Sequence, residues 1–230
     1  MNRTGDWIVR GICRSTVWTI MRLKVEGLEK LPKSGACIIA ANHLGRLDVF
    51  LVYDLLWRKD IIIILAEKYQ RYAVFRWAAR QVDGIWLDSE AASLQALRTV
   101  LTRLKAGGLL AVSPEGTRST TQALVKAHHG AAFLAARSGV PVYPAGVTGT
   151  EDERVKDRLK HLKRLNVHLV IGDPFHIPPL EPGDRDAQLE QHSDEIMCRI
   201  AALLPPAYRG VYQDHPRLKE LLIEQGQPAL

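Results

Sequence analysis

The chain is poor in several features that would classify a protein quickly. Its 230 residues include only three cysteines, Cys13, Cys37 and Cys198, far apart and with no CxxC or mixed Cys/His spacing. This excludes a disulfide framework and a structural metal site, and it fits a reducing compartment. No apolar run approaches the roughly 18 residues of a spanning helix. No cleavable signal with a small-residue site is recognisable, so the protein is expected on the cytoplasmic side. No repeat, low-complexity linker or second domain breaks the chain.

What is present reads as one folded unit. Apolar residues make up 47% and charged residues 24%, a balance that predicts a single α/β domain. The formal charge of +6, with a pI near 9.3, points to an anionic partner: a phosphate substrate, a membrane surface or nucleic acid. Nucleic acid is disfavoured, because the charge is not interleaved with a recognition element.

The charge is concentrated at the start, where residues 1–24 hold a net +4. Residues 7–23 have helical periodicity, with Ile8, Val9, Ile12, Cys13, Val17, Ile20 and Leu23 on one broad arc. Arg10, Arg14 and Arg22 lie opposite, with Trp7 and Trp18 among them. Arginines and tryptophans bordering an apolar face suit an interfacial membrane helix; the alternative is a helix packed on the domain. Segment 1–25 is therefore read as an amphipathic membrane-interface helix, 26–205 as the main domain and 206–230 as a tail.

Within the domain, residues 36–41 and 61–65 are continuous apolar runs, as expected of parallel strands covered on both faces. Residues 84–88, 109–112 and 167–172 read as further strands. Helices are expected over 69–81, 89–105, 130–138 and 184–204. Residues 140–147 form a strand with prolines at 141 and 144, which suggests a sheet edge or a site-lining segment. The mixed-charge stretch 151–164 reads as a solvated loop or helix, and the polar tail as at most one helix near 217–225. The architecture expected is a mostly parallel, largely buried sheet flanked by helices, plus the N-terminal amphipathic helix.

Two stretches carry chemistry. In Asn42-His43-Leu44-Gly45-Arg46-Leu47-Asp48 a histidine and a carboxylate lie five residues apart after a strand. They would not share a face inside one helix. They meet if His43 is on the loop and Asp48 in the first helical turn, where the carboxylate fixes the imidazole tautomer and leaves the second nitrogen as a general base. The plainer alternative is a surface histidine and a helix-start aspartate favoured by the helix dipole. The second stretch, Ser113-Pro114-Glu115-Gly116-Thr117-Arg118-Ser119, follows a strand, where open α/β sheets bind ligands. Arg118 suits an anionic oxygen pair and the Gly116 backbone a close approach. The alternative is a polar turn in which Glu115 and Arg118 pair. His128 and His129 lack partners at ligand spacing, His161, His168 and His176 read as structural, and Trp57, Trp77 and Trp86 as core or groove wall. No metal site is expected.

The order of these elements, His43-x4-Asp48, residues 84–88, Pro-Glu-Gly-Thr-Arg and Val-Pro-Val-Tyr-Pro, resembles the glycerolipid acyltransferases of the lysophosphatidic acid (1-acyl-sn-glycerol-3-phosphate) acyltransferase type, over roughly residues 26–175. The resemblance implies that His43 takes the proton from an acceptor hydroxyl attacking an acyl thioester, and that Asp48 orients it. Glu115, Gly116, Thr117 and Arg118 would form the acceptor site, with Arg118 on its phosphate, and Pro144 would lie along the cleft. It implies acyl-CoA or acyl carrier protein as co-substrate, no other cofactor, a lysophospholipid acceptor and an anionic membrane surface. The residues present agree, since a thioester is already activated and needs neither a nucleophilic serine nor a metal.

Two departures stand out. Ser89 occupies the place of a usual arginine, so Lys126, Arg80 or Arg103 is expected to substitute, or the acceptor is a different lysolipid or a glycolipid. Gly45 replaces a more usual serine and is expected to loosen the loop. A non-catalytic anionic-lipid binder is the remaining alternative.

Overall fold

The computed structural model describes residues 3–55, 58–87 and 94–226. In chain order the strands are β1 (Met21–Glu26), β2 (Cys37–Ala41), β3 (Ile61–Ala66), β4 (Ile85–Leu87), β5 (Leu109–Val112), β6 (Val142–Thr148) and β7 (Leu165–Ile171). The helices are α1 (Arg3–Ile20), α2 (Asp48–Leu55), α3 (Ala73–Gln81), α4 (Leu94–Lys105), α5 (Gly130–Ser138), α6 (Asp152–Lys160), α7 (Arg185–Ala202) and α8 (Pro216–Glu224). The strands form one sheet in the order β1-β7-β6-β2-β5-β3-β4. Every neighbouring pair is parallel except β6 with β7.

The unbroken apolar strands are explained by a core on each face. Ile38, Ala40, Ile62 and Leu110 point into a cluster with α4, α5, α7 and α8. Cys37, Ile39, Ile61, Ile63 and Leu109 point into the other, with α1 and α2. Successive residues alternate faces, so a strand covered on both sides is apolar throughout.

Two expectations change. The first helix stops at Ile20, and residues 21–26, which carried the end of its apolar pattern, are β1, paired in parallel with β7. Met21 is buried and Leu23 and Val25 are half-buried, while Arg22, Lys24 and Glu26 are exposed. That period of two belongs to a strand whose outer face meets solvent. β6 is an interior strand, between β2 and β7, and not an edge. Its Pro144 is accommodated because the β6–β7 ladder is broken there: pairing covers Ala145–Thr148 and resumes only as the Val142–Phe175 bridge. The helix expected near 217–225 is α8, and the tail packs on the domain. Leu218, Leu221 and Leu222 of α8 are core residues. Leu124 exchanges backbone hydrogen bonds with Tyr208 (2.9 Å) and Val211 (3.2 Å).

Candidate active site

The C-terminal ends of β6, β2 and β5 lie side by side, because these strands are adjacent and parallel. The loops that follow, 149–151, 42–47 and 113–119, therefore converge on one end of the sheet. Asn42, buried at the end of β2, ties the second of these loops to the end of β6. Its side-chain amide donates to the Val147 carbonyl (2.9 Å) and accepts from the Val147 N–H (2.7 Å).

His43 is held at its backbone by the third loop. Its N–H donates to Glu115 Oε1 (2.9 Å), and its carbonyl accepts from the Ser119 N–H (2.9 Å). Asp48 is the first residue of α2 and folds back over the turn before it. Its Oδ2 accepts from His43 Nδ1 (2.7 Å), Leu44 N–H (2.9 Å) and Gly45 N–H (3.0 Å). An ionised carboxylate only accepts, so Nδ1 is the donor in this bond, and the neutral imidazole in that tautomer has its lone pair on Nε2. The ring is about one-third exposed, and no described residue bonds Nε2. The histidine and carboxylate meet in the loop-plus-first-turn arrangement that their spacing required.

Gly45 tightens this loop instead of loosening it. A Cβ there would lie 1.8 Å from the Thr150 carbonyl oxygen. Only glycine allows the first and second loops to close this far.

Glu115 does not pair with Arg118. It is 1% exposed, and its second oxygen accepts from the Val125 N–H (3.1 Å). Burial pushes its carboxyl above the ordinary carboxylate range, and the nearby Asp48 charge adds to this, against the pull of its two N–H donors and of His43. Glu115 is thus a clamp on the His43 backbone. Arg118 instead reaches Asp152, the first residue of α6, whose Oδ1 also accepts from the Arg46 N–H (3.0 Å).

The other expected residues divide by position. Gly116 is exposed with a φ of +65°, and a Cβ there would meet His128 Cδ2 at 2.7 Å. Thr117 beside it is exposed. Lys126 lies one residue from the Glu115 clamp, but its ammonium pairs with Glu190 at 2.7 Å. Pro144, buried in β6, registers with Ala40 on the face covered by α7, and its ring lies close to Gly172. Arg103 binds the Asp83 carbonyl (2.6 Å) and carboxylate (2.9 Å) just before β4. Arg80 ends α3, also ahead of β4. Both therefore lie toward the opposite end of the sheet from His43, and Ser89 itself is outside the described residues. Trp57 is outside them too, and Trp77 is exposed rather than core.

Sequence reasoning missed Asn42, Thr150 and Asp152. The available signal was positional: Thr150 and Asp152 follow a strand, as His43 and Glu115 do. No thiol competes as a nucleophile, since all three cysteines are buried and burial pushes Cys37 up to about 11 and Cys198 up to about 12.

A family model described as Acyltransferase matches residues 22–148. Over 219 residues the chain is 26% identical to the 1-acyl-sn-glycerol-3-phosphate acyltransferase of Pseudomonas aeruginosa, covering 91% of this chain and 82% of that protein. It is 27% identical over 164 residues to the chloroplastic 1-acyl-sn-glycerol-3-phosphate acyltransferase of Arabidopsis thaliana. That match takes in 70% of this chain but only 46% of the plant protein, so the chain spans less than half of the plant protein's length. The fold is similar to the crystal structure of the 1-acyl-sn-glycerophosphate acyltransferase of Thermotoga maritima. The TM-score is 0.61 at 23% identity, over 85% of this chain and 79% of the other.

Proposed function

Because the chain belongs to the acyltransferase family, we propose that it moves a fatty acyl group from an acyl thioester to the free hydroxyl of a lysophospholipid, 1-acylglycerol-3-phosphate giving phosphatidic acid. The observation that carries this reading is the 2.7 Å His43–Asp48 bond, which leaves Nε2 with a lone pair at the end of the sheet where Arg118 also lies. His43 Nε2 takes the acceptor hydroxyl proton as the oxygen attacks the thioester carbonyl. The C–O bond forms, the C–S bond breaks, and the imidazolium returns its proton to the departing thiolate. Asp48 steadies the imidazolium between these steps. Acyl-CoA or acyl carrier protein supplies the thioester.

An assay crossing both donors with phosphate, aminolipid and glycolipid acceptors tests the proposal; no turnover with any pair overturns it. Arg118→Ala is expected to raise the acceptor KM with little change in kcat. A charge-assisted hydrogen bond of about 1.5–3 kcal/mol corresponds to roughly 10- to 150-fold. An unchanged KM removes Arg118 from the headgroup site. A different lysolipid or a glycolipid is the second acceptor reading, supported by Ser89 together with the remote positions of Arg80 and Arg103.

We further propose peripheral attachment to the cytoplasmic face of a membrane. No helix among the described residues is long and apolar enough to cross one. Cys13 and Val17 of α1 pack inward, while Trp7 (75%) and Trp18 (78%) are exposed with Ile8 and Ile12. α3, which contacts α1, adds exposed Val74, Phe75 and Trp77, with Tyr72 just before it. Of the expected lipid-facing cations, Arg10 turns inward to Asp6 (3.0 Å) and the Arg58 carbonyl (2.8 Å). Arg14 and Arg22 stay exposed, as do Arg71, Arg76 and Arg80 around α3. Binding to phosphatidylglycerol vesicles should fall with salt. The Trp7→Ala/Trp18→Ala double variant should bind about tenfold more weakly. Equal binding by that variant would rule out α1 as the attachment element.

A further inference from the structure

Arg118, the residue proposed to hold the acceptor phosphate, already has an anion. Its guanidinium is paired with Asp152, and both side chains are only partly exposed, at 27% and 30%. Asp152 is also bound elsewhere. Its Oδ1 accepts the Arg46 N–H at 3.0 Å, and its Oδ2 lies 3.9 Å from the Arg46 guanidinium. One carboxylate thus stands between a partly buried arginine in the PEGTR loop and an exposed arginine in the histidine loop.

A phosphate monoester approaching Arg118 meets a carboxylate of like charge in the same place. Two anions cannot share one fork of N–H donors without repulsion. The Arg46 side chain is 73% exposed, so it is free to reorient and take the displaced carboxylate while the Oδ1 bond to its own N–H stays in place.

We propose that Asp152 is a specificity-determining latch on the acceptor site: it occupies Arg118 until the acceptor phosphate displaces it toward Arg46. The proposal rests on the reading of Arg118 as the phosphate-binding residue. The latch raises the acceptor concentration needed for binding, and it excludes weakly anionic headgroups that cannot displace a carboxylate. It acts on binding through Arg118 and not on the proton transfer at His43.

Asp152→Asn removes the competing charge and keeps an oxygen for the Arg46 N–H. The KM for 1-acylglycerol-3-phosphate is expected to fall about two- to fivefold, the range of one modest ion pair, with the change on KM rather than kcat. Glycerol 3-phosphate, titrated by calorimetry, should bind more tightly by a similar factor. In an Arg118→Gln background the gain should vanish. Unchanged or weaker binding in Asp152→Asn overturns the latch, as does a gain that persists without Arg118. Asp152→Ser, whose shorter side chain also removes the charge, serves if Asp152→Asn does not melt cooperatively. Failure of both to fold would show a structural tie and overturn the proposal. The two readings separate cleanly. Tighter glycerol 3-phosphate binding without turnover leaves the latch standing and the acyltransferase reading fallen; turnover with an unchanged KM in Asp152→Asn does the reverse.

Discussion

Alanine at His43 should lower kcat by about 10²- to 10⁴-fold, the usual worth of a positioned general base, with the acceptor KM little changed. The imidazole is about one-third exposed, and its backbone is held by Glu115 and Ser119 whatever the side chain. The loop should therefore survive the substitution, and thermal melting should separate a chemical loss from an unfolded loop. Asp48→Asn is a milder change. An amide oxygen in place of Oδ2 still accepts from Nδ1–H and from the Leu44 and Gly45 N–H groups. What it lacks is the negative charge that stabilises the imidazolium during transfer, which should lower kcat by about tenfold or more. Full activity in both variants would falsify the assignment of His43 as base.

Glu115→Gln should destabilise the fold by about 1–3 kcal/mol, although it alters one atom. Each carboxylate oxygen accepts one backbone N–H, from His43 (2.9 Å) and from Val125 (3.1 Å). Glutamine can offer an oxygen to only one of them and turns its own N–H₂ toward the other, leaving a buried donor unpaired. Alanine strands both donors, and its effect should be larger, up to about twice that of glutamine. Activity should fall with stability, since the released N–H belongs to His43.

The same residue predicts a pH dependence. Burial raises the Glu115 carboxyl above its ordinary 4.5, so the folded protein holds the proton more tightly than the unfolded chain. Stability from this group is fully present below about pH 4.5 and is lost as pH rises through the raised folded value. The stability difference between wild type and Glu115→Gln, measured by denaturant unfolding across this range, should shrink as pH increases. A difference independent of pH would mean that Glu115 ionises as it does in water.

Local signals located the His43–Asp48 pair because the geometry that joins it is local. His43 and Asp48 are five residues apart, and a loop ending in a first helical turn brings them together whatever the rest of the chain does. The two-sided sheet was legible for a similar reason, since continuous runs such as residues 61–65 have no polar face to offer solvent. The roles inside the PEGTR turn were not legible. Glu115 and Arg118 are three residues apart and opposite in charge, so a local pairing was a reasonable alternative. Each finds its partner elsewhere, Glu115 in the backbones of His43 and Val125, Arg118 in Asp152.

By itself the sequence determined a parallel α/β sheet with its helices, a histidine and an aspartate brought together at the end of β2, and a basic, tryptophan-bearing first helix. All of these follow from periods of two or 3.6 and from turns of a few residues. Only the tertiary structure decided that residues 21–26 are a strand, because β7, which pairs with it, lies far along the chain. The same holds for Gly45, whose need for a missing side chain comes from the Thr150 carbonyl, and for the partners of Glu115 and Arg118. These choices depend on which loops meet at the ends of neighbouring strands. That is set by strand order, and no periodicity within one segment encodes it.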